Sequence, residues 1–359
     1  MRIASVGHAV FAVTLIGVGI LGLITGDHSQ ALRGVLVLGA SARSGEAAAG
    51  IAPISESRTS SSLTACGTSG LPALQILGSS GPLNAGGRAS TSYLLWLSNR
   101  PAVIVDMGPG SLLNLARTGA NARDVDAVLI SHFHPDHVTD LPAFLWDAEI
   151  LDRHRSLLVA GPAGNGDFPD AQSFINRLVG AEGTFPFMQQ VLSKSHSVFH
   201  IDVEVIPVSS RRRNTVATIL GSTVSAYPVP HGRAPSIAYR IDGANFSVVF
   251  ASDQNGSDTG FATFAKGVDV LVLHTAMSPR AGAQTAAKVI GLPQRLADLA
   301  VAARAKRLVL SHLMALPDSD ASAADYSLAS PAALLESVRS VYRGEVLLAS
   351  DLQCIALHR

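Results

Sequence analysis

Three imidazoles and one carboxylate lie within six residues of the segment Ser131-His132-Phe133-His134-Pro135-Asp136-His137. The apolar run before it, residues 127–130, predicts a buried strand, and apolar residues at helical spacing after it predict a helix. Side chains two apart on extended backbone point the same way, so His132 and His134 could bind one metal ion. Asp136 and His137, past the bend, could face a second. The segment therefore predicts a metal site at a strand-to-helix turn.

Other potential ligands follow strand-like runs elsewhere in the chain. Residues 103–108 read as a buried strand that ends in a carboxylate, Asp106, and a glycine. Downstream, His231, Asp253 and His312 each stand directly after or within a strand-like run. These residues could join the same site.

This order resembles the metallo-β-lactamase superfamily, whose pattern is a strand-end Asp, then His-x-His-x-Asp-His, then His, Asp and His. The resemblance covers roughly residues 71–359. It implies an α/β fold, the αββα sandwich of two mixed β-sheets flanked by helices. It also implies the metal ligands: His132, His134 and His231 for one zinc, Asp136, His137 and His312 for the other, Asp253 as the bridge, and Asp106 behind the ligands.

Five imidazoles and two carboxylates suit zinc, although manganese or iron also bind such nitrogen-rich sites. Two ions about 3.5 to 4 Å apart would hold a bridging hydroxide at neutral pH and clamp the oxygens of an ester. That chemistry is hydrolysis. It serves phosphodiesters, lactones, thioesters and sulfate esters alike, so the ligand pattern predicts the reaction type and leaves the substrate open.

Two segments resemble the ribonuclease Z branch of the superfamily. The segment 231–241 runs from His231 into Tyr-Arg-Ile, as in that branch, where the histidine precedes a Gly-Tyr-Arg-Ile strand. The segment Leu273-His274-Thr275-Ala276 lies where the branch has His-Glu-Ala-Thr, with Thr275 in place of Glu. The resemblance implies that His274 gives a proton to the leaving group and that Asp136 is catalytic as well as a ligand. The alternative for His274 is a histidine that caps a buried strand.

The expected function is a ribonuclease Z-like phosphodiesterase that acts outside the cytoplasm on a small molecule or a short phosphodiester. Extended nucleic-acid binding is not expected, because the formal net charge is zero and the basic run Arg211-Arg212-Arg213 is short. An arylsulfatase-like or lactone hydrolase is the enzyme alternative. A binding protein stabilised by metal is the non-enzyme alternative, which an open ligand set disfavours because structural zinc sites are usually closed by four protein ligands.

The first 31 residues predict an export signal, since 9–26 are eighteen residues without a charge. A retained membrane anchor is the alternative, because about twenty apolar residues span a bilayer. Residues 32–70, rich in Ser, Ala and Gly, predict a flexible tether before the hydrolase domain, 71–359. The protein is thus expected to be periplasmic or secreted, with membrane contact only through its N-terminal segment. The oligomeric state is left open.

The chain has two cysteines, Cys66 and Cys354. An even count in an exported protein predicts a disulfide, which would join the start of the domain to its end. Two separate buried thiols are the alternative.

Strand and helix patterns alternate through the last third of the chain, as expected for the second half of such a sandwich. A helix is predicted within 285–305 and a single final strand over 346–357. Between 138 and 230 the pattern is less informative, with a helix at 171–179 and a strand at 198–208.

Overall fold

Two stacked β-sheets form the centre of the protein in a computed structural model that describes residue 66 and residues 68–357, apart from 195–198, 280–287, 317–319 and 324–325. The predicted signal segment and most of the predicted tether lie outside the described residues. No helix in the described ranges is long and apolar enough to cross a membrane.

The first sheet has seven strands, numbered by their order in the chain: β1 (Ala73–Gly78), β2 (Ser92–Leu97), β3 (Arg100–Val105), β4 (Ala127–Leu129), β5 (Leu157–Pro162), β6 (Ile201–Ile206) and β16 (Cys354–Ala356). They are arranged as β16-β1-β2-β3-β4-β5-β6. The pairs from β3 to β6 are parallel, and those from β16 to β3 are antiparallel. This sheet is therefore mixed.

The second sheet also has seven strands: β7 (Asn214–Ile219), β8 (Ser222–His231), β9 (Ala234–Asp242), β10 (Ser247–Phe250), β11 (Val270–His274), β12 (Arg307–Ser311) and β15 (Glu345–Leu348). Their order is β15-β12-β11-β10-β9-β8-β7. Strands β10, β11, β12 and β15 are parallel, and β7 to β10 are antiparallel. A small separate hairpin joins β13 (Ala321–Ala323) to β14 (Tyr326–Leu328).

Seven α-helices in the described part of the chain accompany the sheets: α1 (Ser111–Arg117), α2 (Pro135–Val138), α3 (Leu141–Ile150), α4 (Ala171–Val179), α5 (Gly260–Phe264), α6 (Pro293–Ala303) and α7 (Pro331–Val341). Short 3-10 helices lie at Ala85–Gly87, Ala122–Asp124 and Pro186–Leu192. Helices α1, α3 and α4 pack on the outer face of the first sheet, and α5, α6 and α7 pack on that of the second. The predicted αββα sandwich is confirmed.

Along each strand, side chains that face the core between the sheets alternate with side chains that face the outer helices. In β2, Tyr93 and Leu95 point into the core between the sheets, whereas Leu94 and Trp96 point toward the helices. Successive side chains of a strand face opposite sides, so a strand that is covered on both faces is apolar throughout. Tyr93 meets Phe250 of the second sheet with ring centroids 5.3 Å apart, and this contact joins the two sheets near the edge that carries the site.

The predicted final strand, 346–357, is instead two strands in different sheets. Strand β15 ends at Leu348 in the second sheet, and β16 starts at Cys354 in the first. Between them, the Asp351 carboxylate accepts hydrogen bonds from the backbone N–H groups of Ser79 (3.0 Å) and Ala89 (2.7 Å). The polar residues that interrupt the apolar run thus mark the crossing from one sheet to the other.

A disulfide joins Cys66 to Cys354, with Cα atoms 5.6 Å apart. Cys66 precedes β1, and Cys354 is the first residue of β16, the strand that pairs with β1. The bond therefore ties the beginning of the described region to its last strand.

Reduction of this disulfide is expected to destabilise the protein, because the bond closes a loop of 288 residues and so restricts the unfolded chain. The loss in free energy of unfolding should be about 2 to 4 kcal/mol. Urea unfolding of the oxidised protein and of a Cys66→Ala, Cys354→Ala double variant measures it. Two titratable thiols in unreduced, denatured protein would contradict the bond.

Candidate metal centre

The residues predicted to bind or support metal follow the carboxyl ends of strands in both sheets. Strands β3 and β4 run parallel, as do β10, β11 and β12, while β8 and β10 are each antiparallel to β9 and so share one direction. Carboxyl ends of strands with one direction meet at one edge of a sheet. The structure brings these residues together there, and the predicted proton donor, His274, lies beside them: Asp106, His132, His134, Asp136, His137, His231, Asp253 and His312.

One group of three imidazoles consists of His132, His134 and His231. The Nδ1 atom of His134 lies 2.9 Å from Nε2 of His132 and 3.2 Å from Nε2 of His231. His231 Nδ1 donates to the carbonyl oxygen of Val289 at 2.9 Å, which leaves its Nε2 lone pair directed at the other two rings. Burial lowers the pKa of His231 to about 4 and the pKa of His132 well below its usual value. These rings are neutral near pH 7, as metal ligands must be.

A second group contains His137 and His312, together with Asp136. The Asp136 Oδ2 atom lies 3.3 Å from Nε2 of His137 and 3.3 Å from Nε2 of His312. His137 and His312 are fully buried, and Asp136 is 8% exposed. Buried carboxylates among buried imidazoles need cations, either bound protons or a metal ion.

Asp106 supports this second group from behind. Its Oδ2 accepts a hydrogen bond from His137 Nδ1 at 2.8 Å, and its Oδ1 accepts one from the backbone N–H of Ser131 at 2.7 Å. The Ser131 hydroxyl donates to Oδ2 as well. This arrangement fixes the ring of His137 with Nε2 toward the site, which is the usual role of a carboxylate behind a ligating histidine.

Asp253 lies between the two groups. Its Oδ2 atom is 3.6 Å from Nε2 of His231 on one side, and 3.7 and 3.4 Å from Nε2 of His137 and His312 on the other. His132 Nε2 is 4.0 Å away. One carboxylate oxygen therefore faces four imidazoles from two groups, as a bridging ligand would.

His274 contacts this carboxylate from the opposite side. Its Nδ1 lies 2.7 Å from Asp253 Oδ1, and its Nε2 lies 2.8 Å from the hydroxyl of Tyr93. His274 is close enough to the second group to count geometrically among possible ligands, but the 2.7 Å contact is a hydrogen-bond distance to a carboxylate. We therefore treat Asp136 as the candidate ligand and His274 as a residue that contacts Asp253.

The proton-donor role of His274 stays a prediction, and these contacts do not favour it. A donor needs an N–H directed at the leaving group. Both ring nitrogens of His274 engage buried groups, and the residue is 2% exposed. The geometry agrees better with a histidine that orients Asp253.

The backbone of the site is unusual at several strand ends. Asp106, Ser252 and His312 have φ of 59°, 57° and 65°, in the left-handed region that non-glycine residues rarely adopt. Such strain clusters at functional sites. Close packing restricts the site as well. Position 108 must be glycine, because any Cβ there would collide with the Asp136 carbonyl oxygen.

The charges of the second group are strongly coupled. Burial alone would raise the pKa of Asp253, but His312 and His137 outweigh it and hold that pKa well below its usual value. Burial also opposes charge on His137, and here Asp136, Asp106 and Asp253 prevail and raise its pKa. Without metal, protons bound to the imidazoles would therefore balance the negative charge of these carboxylates. A bound cation would displace those protons, so metal binding should weaken as pH falls.

The residues present fit a divalent metal ion. His137 Nε2 is buried and has no hydrogen-bond partner within the described part of the chain, although it points at two carboxylates. Buried polar atoms are rarely left without a partner. Neutral imidazoles and ionised carboxylates together form the donor set that zinc and similar ions bind.

Several groups that contribute to the site could not be recognised from the sequence. Tyr93 reads as one more core residue of an apolar strand, and Ser131 as the residue before the histidines. Val289 contributes only its carbonyl oxygen, which no side-chain pattern can reveal. Their roles depend on contacts between distant parts of the chain.

Comparison with known proteins agrees with this geometry. The family model of the metallo-beta-lactamase superfamily matches residues 85–264. A ribonuclease Z from Lachnospira eligens is 26% identical over 150 residues, which are 42% of this chain and 47% of that protein. A ribonuclease Z from Mycobacterium bovis strain BCG Pasteur is 27% identical over 209 residues, 56% of this chain and 69% of that protein. The chain thus matches about half the length of the first relative.

Among solved structures, the short form of human tRNase Z superposes with a TM-score of 0.60 at 20% identity, covering 80% of this chain and all of that one. This likeness is one of fold. The family match spans half of the chain and includes the His-x-His-x-Asp-His segment, so the protein belongs to the metallo-beta-lactamase superfamily and has ribonuclease Z homologues.

Proposed function

We propose that this protein is a metal-dependent hydrolase that cleaves a small or short phosphodiester. The observation that carries the proposal is the position of Asp253 Oδ2, which faces His231 on one side and His137 and His312 on the other at 3.4 to 3.7 Å. A carboxylate oxygen shared by two ligand groups is the arrangement of a two-metal hydrolase.

The proposed ligands follow from these contacts. His132, His134 and His231 would hold one ion; Asp136, His137 and His312 would hold the other, and Asp253 would contact both. We propose zinc, because imidazole-rich sites suit it, with manganese or iron as alternatives. When bound, such ions supply Lewis acidity and lower the pKa of water toward neutrality.

The chain's own residues hold and orient this centre. Asp106 and Val289 fix the rings of His137 and His231 through their Nδ1 atoms. For Asp136, burial would raise the pKa, but His137 and His312 outweigh burial and keep it below its usual value. Asp136 therefore stays ionised, as a metal ligand must be, and its catalytic role stays a prediction.

Three observations support a short phosphodiester substrate and a location outside the cytoplasm. The curated relatives are named ribonuclease Z, and ribonucleases act on phosphodiester bonds. The disulfide between Cys66 and Cys354 suits an oxidising compartment, since such bonds are rare in the cytosol. The formal net charge of zero favours a short substrate over an extended nucleic acid.

Metal analysis combined with a substrate panel tests the proposal. Purified protein is assayed with bis-p-nitrophenyl phosphate, p-nitrophenyl sulfate and a lactone, before and after chelation. We expect turnover of the phosphodiester that chelation abolishes and added zinc restores. Turnover of the sulfate or the lactone alone would overturn the phosphodiesterase assignment, and bound metal without any turnover would indicate a binding protein.

Two variants exclude a contaminating activity. His231→Ala removes a proposed ligand and should abolish turnover. His154→Ala changes an exposed histidine that pairs with Asp152 and should leave turnover intact. Equal activity in both variants would show that the measured hydrolysis does not come from this site.

A further inference from the structure

A buried chain of three polar side chains crosses from one sheet to the other behind the metal centre. The Tyr93 hydroxyl lies 2.8 Å from His274 Nε2, and His274 Nδ1 lies 2.7 Å from Asp253 Oδ1. Tyr93 is fully buried, and His274 and Asp253 are 2% and 3% exposed. We propose that Tyr93 is a positioning residue, which fixes the tautomer of His274 and through it the orientation of Asp253.

The hydrogen-bonding roles follow from the chemistry of each group. An ionised carboxylate can only accept, so His274 Nδ1 must carry the proton that meets Asp253 Oδ1. In a neutral imidazole the other nitrogen is then an acceptor, so the Tyr93 hydroxyl must donate to Nε2. Hydrogen bonds are therefore donated in one direction only, from Tyr93 to His274 and from His274 to Asp253.

The direction of donation matters because the two oxygens of Asp253 have different contacts. His274 occupies Oδ1, and the other oxygen, Oδ2, faces the imidazoles of both ligand groups. A carboxylate without the bond at Oδ1 could rotate and pair either oxygen with a ligand ring. The hydroxyl of Tyr93 therefore acts on the metal centre without touching a ligand.

The contact also joins the two halves of the sandwich. Tyr93 belongs to β2 of the first sheet, whereas His274 is the last residue of β11 and Asp253 follows β10, both in the second sheet. The Tyr93 ring packs on Phe250 at 5.3 Å between centroids, so Phe at position 93 would keep the packing and lose the hydroxyl alone. This inference rests on the proposed metal centre, but the tautomer can be read in metal-free protein.

The test compares Tyr93→Phe with Tyr342→Phe. Tyr342 is also buried, and its hydroxyl donates to the carbonyl oxygen of Ala305 at 2.7 Å, outside the residues of the metal centre. Long-range proton–nitrogen NMR of metal-free protein reports the tautomer of His274, assigned by comparison with His274→Gln. Zinc affinity and zinc release to a chelator are measured on the same samples.

We expect His274 in the native protein to carry its proton on Nδ1, with Nε2 accepting. In Tyr93→Phe this tautomer should lose its dominance, and zinc affinity should fall about 10- to 100-fold. Tyr342→Phe should behave as the native protein in both measurements. An Nε2–H tautomer in the native protein would overturn the proposal even if Tyr93→Phe failed to fold.

Two other results would also overturn it: a native tautomer and native zinc release in Tyr93→Phe, or equal effects in the two variants. Absence of zinc binding by the native protein would contradict the proposed function instead, while the tautomer would still decide the role of Tyr93.

Discussion

Replacing Asp253 with Ala is expected to remove both metal ions and to lower hydrolytic activity by about 100-fold or more. The physical reason is the position of its Oδ2 atom, which lies 3.4 Å from Nε2 of His312 and 3.6 Å from Nε2 of His231, two residues in separate ligand groups. Loss of a ligand from one group alone would release one ion. Elemental analysis of the purified variant, together with turnover of bis-p-nitrophenyl phosphate, measures both effects.

Asp258→Ala provides the matched control. This aspartate is also buried, at 9% exposure, and its carboxylate accepts a hydrogen bond from the Tyr227 hydroxyl. It lies in the same loop as Asp253 and belongs to neither ligand group. We expect Asp258→Ala to keep both ions, although it should unfold at a lower temperature. Two ions per chain in purified Asp253→Ala would show that the bridging assignment is wrong.

Replacing His274 with Ala is expected to slow hydrolysis by the same factor, about 10- to 100-fold, for a good and for a poor leaving group. Both nitrogens of His274 are engaged, by Asp253 and Tyr93, so its loss should disturb the carboxylate and not proton transfer. A p-nitrophenyl diester and an alkyl diester, assayed in zinc-saturated protein, provide the comparison.

A proton donor would behave differently. Its loss would slow the alkyl diester by about 100-fold to 10,000-fold and affect the p-nitrophenyl diester far less, because that leaving group needs no proton. Such a split, with metal content intact, would restore the proton-donor role. His200→Ala is the control, since His200 also pairs with an aspartate, Asp202 at 3.3 Å, but lies outside the site.

Residue type and spacing were enough to predict the candidate ligands and the turn that carries them. The histidines and Asp136 lie in one short segment after an apolar run, and strand geometry alone makes His132 and His134 point the same way. The strand-end positions of Asp106 and His312 were readable for the same reason. These features are local, so residue type and spacing are enough to predict them.

The strand-like run before His231 was predicted, but how strands pair depends on partners that the local pattern does not reveal. Strand β8, which carries His231, contains Pro228 and Pro230, and prolines argue against a strand interior. The structure accommodates them because β7 pairs with β8 only over Ser222–Ala226, so the prolines have β9 on one side alone among the described strands. Likewise, residues 346–357 read as one strand, and only the packing of two sheets divides them.

The contacts that each site residue makes are visible only in the folded protein. Spacing cannot show that Oδ2 of Asp253 faces two groups of imidazoles while Oδ1 meets His274, nor that Tyr93 from the other sheet completes the chain. These contacts join residues that are 21 to 181 positions apart. Orientation of a side chain toward a distant partner depends on how the sheets stack, and stacking is a property of the whole core.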